Sequence, residues 1–188
     1  MRTEREKMLA GELYLSGDPE LREARLRCRR LVHELNRMEP GNEAERLRIC
    51  HALFGSFGEH SWIEPSFRCD YGTNIKFGSS FYANFDCVIL DCAEVVIGDD
   101  VMFAPGVHIY TATHPLDATE RCSGAELARP VHIGHRAWLG GRVVVLPGVT
   151  IGDEAVIGAG SVVSRDIPPG VLAVGNPCRV VRPIAKSS

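Results

Sequence analysis

A solenoid of short parallel strands, an all-β coil preceded by a helical cap, is the architecture that this chain of 188 residues encodes. The first observation behind it is a six-residue period from Val131 to Pro168, which cut at Ile133 reads IGHRAW, LGGRVV, VLPGVT, IGDEAV, IGAGSV, VSRDIP. The first place is aliphatic in every unit (Ile133, Leu139, Val145, Ile151, Ile157, Val163), and the fifth is small or β-branched. The second observation is glycine at the second or fourth place of five of the six units. Third, a period of six fits neither the 3.6 of an amphipathic helix nor strand alternation. It marks short strands joined by tight corners and stacked into a coil. First-place side chains are expected inside the coil, fifth-place residues near its corners, and glycines where φ turns positive.

Residues 1–60 follow another pattern and are expected to form the cap, with 61–188 as the coil domain. Asp18-Pro19 is a helix start, an N-cap oxygen followed by proline at the first helical place. Leu21, Cys28, Leu31, Val32, Leu35 and Met38 then recur at helical spacing until Pro40-Gly41. Asn42 with Glu45 predicts a capping box for a second helix, in which Leu47, Cys50, Leu53 and Phe54 share a face and Gly55 is the stop. From Ile63 the hexads begin as IEPSFR, CDYGTN, IKFGSS, FYANFD and CVILDC, which puts Cys69 and Cys87 at the aliphatic place. The frame slips at 93–96 and resumes at Ile97. Residues 111–130 interrupt it with an inserted loop of no hexad character, and long loops on rigid scaffolds commonly carry function. After Pro168 a C-terminal tail carries Arg179 and Arg182.

Composition narrows the function. A net charge of −3 argues against nucleic acid or anionic membrane as a partner. No apolar run approaches the roughly 20 residues that span a bilayer, and MRTEREKMLAGELY lacks the apolar centre of a signal peptide. Seven cysteines, odd in number and without a CxxC pair, read as reduced thiols of a cytoplasmic protein. Of the seven histidines, His33 and His51 lie in the cap, while His132 and His135 are expected to face solvent from the coil. His114 differs, standing in the insertion before Pro115, which stiffens the backbone there.

The ordered landmarks RCDYGTNI, FYANFD, APGVHIYTATHP, WLGGRVVVLPGVTIGD, IGAGSVVSRDIP and VGNPCRVVR carry a resemblance over nearly every residue beyond 60. They resemble the hexapeptide-repeat acyltransferases, in the maltose/galactoside O-acetyltransferase branch. The resemblance implies a left-handed winding, an acetyl-CoA co-substrate, a sugar acceptor and a homotrimer with active sites between subunits. It also implies that the histidine of the THP loop, here His114, is the catalytic base. The chemistry suits imidazole, whose unperturbed pKa near ~6.5 lets it take a hydroxyl proton and return it to a leaving thiolate. Glu126 in the same insertion is a candidate to fix the imidazole tautomer.

Further positions follow from the same resemblance. Asn84 matches the asparagine at the junction of acetyl group and acceptor, while Asp70 and Ser16 match places in the acceptor pocket. Gly141 and Ala159 match the pantetheine groove, and Ser164 and Arg165 lie towards the adenine end. Arg179 and Arg182 suit the nucleotide phosphates, which guanidinium forks bind well. One position departs from the pattern: where galactoside-specific relatives tend to carry a second acidic residue, this chain has Asp91-Cys92. A thiol accepts sugar hydrogen bonds poorly. Cys92 therefore tilts the acceptor towards maltose or glucose.

Two other classes are open to such a coil. A zinc carbonic anhydrase needs three converging histidines, but His108 and His114 are six apart and His132 and His135 three apart, so no metal is expected. A non-catalytic interaction module is the other. The THP insertion and Asn84 argue against it, and acetyl transfer to a galactoside, lipo-oligosaccharide or antibiotic stays open.

Overall fold

The computed structural model describes residues 2–185; residues 1 and 186–188, at the outer ends of the expected cap and coil units, lie outside the described residues. Among the described residues the cap holds three helices, one more than the apolar spacing predicts. The additional one, α1 (Glu4–Leu9), starts at a capping box: Glu6 N donates to Thr3 Oγ1 at 3.1 Å, and Thr3 N donates to Glu6 Oε2 at 2.8 Å. In α2 (Pro19–Arg37) Asp18 accepts from Glu20 N, and Leu21, Cys28 and Leu35 are buried. In α3 (Glu43–Leu53) only half of the predicted capping box forms. Asn42 accepts from Glu45 N, but the Glu45 carboxylate is held by Arg48 instead of reaching back. Leu47 is exposed, and the inward face runs through Arg46, Ile49, Cys50 and Leu53. Arg46 is the unexpected member; it donates to Ile63 O at 3.0 Å and lies over the Trp62 ring, which joins cap to coil. Gly55 is not a left-handed stop. A Cβ there would sit 2.5 Å from Thr73 O, so close approach of the first coil requires glycine.

The coil is a left-handed parallel β-solenoid of about six turns with three faces. The first face stacks Ser56–Phe57, Ile75–Phe77, Val95–Ile97, Val131–Ile133 and Thr150–Ile151. The second stacks Trp62–Ile63, Tyr82–Ala83, Met102–Phe103, Trp138–Leu139, Val156–Ile157 and Val171–Val174. The third stacks Phe67–Cys69, Cys87–Leu90, His108–Tyr110, Val144–Val145 and Val162–Val163. The tail is not loose: Arg179–Pro183 folds back antiparallel on Val171–Val174.

Inside the prism the first-place residues of the ladder are buried, and so are Ala137, Val143, Val149, Ala155, Ser161 and Ile167 at the fifth place. The fifth place therefore belongs to the core rather than its corners. The expected role of glycine also changes. Positive φ falls at the fourth place, where Arg136, Arg142 and Glu154 adopt it alongside Gly148 and Gly160. The second-place glycines serve stacking instead, since a Cβ on Gly140 would stand 2.6 Å from Ala159 N in the next coil.

The early hexads keep the frame read in the sequence at Ile63 and Cys69 and are offset from it between Ile75 and Cys92. Phe77 pairs with Ile97, and Ile97 with Ile133, so Phe77, Ala83 and Ile89 are the first-place residues. Ile75, Phe81 and Cys87 take the fifth place, still buried. The cause is one corner, between the third face and the first, which is two residues longer than a hexad allows at 70–74 and 91–94. The chain next passes this corner at 111–130, so the insertion leaves the coil directly beside the two long corners.

Candidate active site

The insertion has its own architecture. Ala112–Thr113 and Ala125–Ala128 pair antiparallel, α4 (Ala118–Cys122) joins them, and Tyr14–Leu15 from the cap adds a third strand to Ala125–Ala128. Its root is fixed by Thr111, fully buried, whose hydroxyl donates to Leu90 O and accepts from Ala93 N. His114 follows this hairpin strand, exposed, with Pro115 buried behind it.

Between insertion, long corners and α2 lies a pocket of about 330 Å³. It is lined by Ser16, Asp70, Cys92, His114 and Glu126, so five of the residues picked out in the sequence meet around one cavity. Arg25, Arg29, Tyr71 and Ala112 complete the wall. Arg25 donates to the Tyr71 hydroxyl at 2.7 Å and to Ser16 O at 2.6 Å, tying cap to corner. Glu126 Oε2 accepts from the Tyr14 hydroxyl at 2.8 Å; its other oxygen accepts no hydrogen bond among the described residues, from His114 or any other group.

Burial raises the Asp70 carboxyl above the usual carboxylate range, against the opposing pull of the Cys92 thiol and of Arg25 and Arg29. Cys92 Sγ donates to Asp70 Oδ2 at 3.7 Å, a weak contact, and burial pushes that thiol up to about 12. Cys92 thus acts as a donor towards the acidic residue rather than as a missing acceptor. Beneath them, fully buried Asp91 takes the Asp70 and Tyr71 amides on Oδ1 at 2.9 Å each. Desolvation raises its carboxyl to about 7, and Oδ2 has no partner among the described residues.

The remaining candidates lie elsewhere. Asn84, Gly141 and Ala159 follow strands of the second face, on the corner between the second and third faces. The His114 pocket does not reach them. A separate groove of about 380 Å³ beside that corner is lined by Asp86, Pro105, Gly106, His108, Arg142 and Val144. Ser164 and Arg165 are exposed on the same corner as His114, two coils further along, and Arg179 and Arg182 are exposed on the fold-back strand. Among the described residues no three His, Cys, Asp or Glu side chains are gathered as a metal site would require.

Tyr14, Arg25, Arg29, Tyr71 and Asp91 were not singled out by sequence reasoning. Arginine on the polar face of a helix reads as solvated. The available signal was Arg25 and Arg29 four apart on a helix followed by the acidic Asp70 and Asp91.

Residues 7–58 match the maltose acetyltransferase hexapeptide capping motif, and residues 130–165 match the six-repeat bacterial transferase hexapeptide. The chain is 44% identical over 179 residues to the galactoside O-acetyltransferase of Escherichia coli, covering 95% of this chain and 88% of that one. The crystal structure of a maltose O-acetyltransferase from Clostridium difficile 630 superposes with a TM-score of 0.97 at 50% identity, covering 98% and 99% of the two chains. A galactoside acetyltransferase in complex with coenzyme A superposes with a TM-score of 0.94 at 41% identity, covering 98% and 92%.

Proposed function

Because the chain belongs to the maltose/galactoside branch of the hexapeptide-repeat acetyltransferases, O-acetyltransferases that draw on acetyl-CoA, we propose that it acetylates a hydroxyl of a maltose- or glucose-like sugar with His114 as general base. The observation that carries this reading is His114 at the edge of a polar pocket walled by Asp70, Glu126, Ser16 and Arg25. In the proposed step the sugar oxygen attacks the thioester carbonyl carbon while imidazole takes its proton. The tetrahedral intermediate then expels the coenzyme A thiolate, which receives the proton back. Asp70 accepts from the sugar hydroxyls, and Glu126, held by Tyr14 through Oε2, has its other oxygen available to orient the imidazole.

The donor side of the reading joins Asn84, Gly141 and Ala159 to Ser164, Arg165, Arg179 and Arg182. In one chain the first three lie on a different corner of the prism from His114. One site holding both sets therefore needs two copies, which supports a homotrimer with sites between neighbours. Outward-facing Met102 and Trp138 on the second face, and Leu116 at 97% exposure in the insertion, suit burial against such neighbours. Residues 1–60 act as the cap of the 61–188 domain in this reading. The site of action is the cytoplasm, supported by seven free thiols; no helix among the described residues is long and apolar enough to cross a membrane.

The test is thiol release from acetyl-CoA across glucose, maltose, galactosides, lipo-oligosaccharides and aminoglycosides, with the product identified by mass. Acetylated glucose or maltose is expected. A clear galactoside or antibiotic preference overturns the acceptor assignment.

A further inference from the structure

Beside the His114 pocket, α2 and the third face of the coil enclose a second cleft of about 410 Å³, lined by Arg29, Val32, His33, Asn36, Arg37 and Arg68. Among the described residues no carboxylate lines it, in a chain with 24 acidic and 21 basic residues. Arg29, Arg37 and Arg68 enter no ion pair among the described residues. Of the other arginines of α2, Arg30 is paired with Glu23 at 3.9 Å, Arg27 with Ala52 O, and Arg25 with Tyr71 and Ser16, while Arg22 lines neither cavity. The cleft wall is held rigidly, because Asn36 both donates to Phe67 O and accepts from Phe67 N, at 2.8 Å each.

Arg25, Arg29, His33 and Arg37 stand four residues apart along α2, one face of the helix with a step of about 6 Å. Arg25 and Arg29 are like charges at i, i+4, a spacing that destabilises a helix, so the pocket end of the stripe works against the element that carries it. It begins in the His114 pocket, which Arg25 and Arg29 line, and Arg29 lines both cavities. Asp70 of the pocket directly follows Cys69 of the cleft, making the two continuous a second time.

We infer that the acceptor is an oligosaccharide carrying an anionic group (phosphate, sulfate or carboxylate) on a ring beyond the one acetylated, and that Arg29, Arg37 and Arg68 hold that group. This rests on the reading of the His114 pocket as a sugar site. Guanidinium forks match such oxyanions geometrically as well as by charge. An acceptor seated with one hydroxyl near His114 extends along the stripe, past Arg29, into the cleft.

The experiment compares maltose with counterparts bearing phosphate, sulfate or a uronic carboxylate on the second ring. Binding is measured by titration calorimetry without acetyl-CoA, and kcat/KM with it. At least one charged disaccharide is expected to bind about tenfold more tightly than maltose at low salt, with the advantage shrinking as salt screens it. The double variant Arg37→Ala, Arg68→Ala is expected to lose that advantage and keep its kcat/KM for neutral maltose. The pair Arg37→Gln, Arg68→Gln serves if alanine lowers stability. Equal binding of charged and neutral sugars, or a preference that survives the double variant, overturns the inference. Acetylation of maltose with no gain from charge sinks the cleft assignment alone, whereas no binding or acetylation of any disaccharide removes the sugar reading and this inference together.

Discussion

Tyr14 and Glu126, 112 positions apart in the chain, are joined by a 2.8 Å hydrogen bond from phenol to carboxylate, and their backbones pair in the same antiparallel register. The N-terminal strand thereby becomes the outer strand of the hairpin that carries His114. Cap and insertion are one structural unit around the pocket. Desolvation is the main reason that the Tyr14 phenol is held well above its ordinary value, so it stays a donor over the working pH range.

Removing that donor with Tyr14→Phe takes away a hydrogen bond to a carboxylate, worth roughly 1.5–3 kcal/mol. The variant is expected to unfold at lower denaturant concentration and to lose turnover more than acetyl-CoA affinity, as Glu126 loses its anchor. An unchanged unfolding midpoint would mean that the strand pairing alone holds the hairpin.

Asp91 gives a pH dependence. Its native value near 7 lies far above that of an unfolded aspartate, about 3.9. Between those values the native state holds a proton that the unfolded chain has released. This contribution is complete below about pH 4 and is lost as pH rises through 7, on the order of a few kcal/mol. Thermal unfolding of the wild type should therefore fall more steeply from pH 5 to 8 than that of Asp91→Asn, which keeps an acceptor for the Asp70 and Tyr71 amides. Parallel profiles would show that Asp91 is already ionised in the native state by pH 5, as it is in the unfolded chain.

The coil makes a local prediction. Gly140→Ala places a methyl against Ala159 N and Ile157 O of the next coil, 2.6 and 2.9 Å away, and should cost about 1–3 kcal/mol through displaced backbone. Gly160→Ala meets nothing within 4 Å and bears only the left-handed backbone at φ +72°, about 1–2 kcal/mol. Chemical denaturation of the two variants, with a larger loss for Gly140→Ala, checks the stacking role.

On the donor side, Arg179→Ala with Arg182→Ala should raise the KM for acetyl-CoA well beyond any fall in kcat, because phosphate contacts hold ground and transition states alike. Unchanged donor KM would take both residues out of the site.

How legible all this was in the sequence depends on the element. From Ile133 onward each coil is one hexad per face, so side-chain periodicity reports burial directly. Between Cys69 and Ile97 two corners hold extra residues, and the pattern slides because both the first and fifth places are buried there. The expectation for glycine holds at Gly148 and Gly160 but not at the second place, because Arg136, Arg142 and Glu154 also bear the positive φ, which composition does not reveal. Ser16, Asp70 and Cys92 entered through resemblance and Glu126 through the insertion it shares with His114, since residues up to 110 positions apart carry no spacing signal for a shared pocket. The hairpin within 111–130 was hidden because its third strand comes from the cap.

The central claim is that His114 is the general base of a direct transfer, and the most direct measurement is the turnover of His114→Ala with saturating acetyl-CoA and maltose. The expected result is a fall of roughly 10²–10⁴-fold, with acetyl-CoA binding and oligomeric state retained and intersecting initial-rate lines in the wild type. Turnover near that of the wild type, or parallel lines with a trapped acetyl-enzyme, would contradict it.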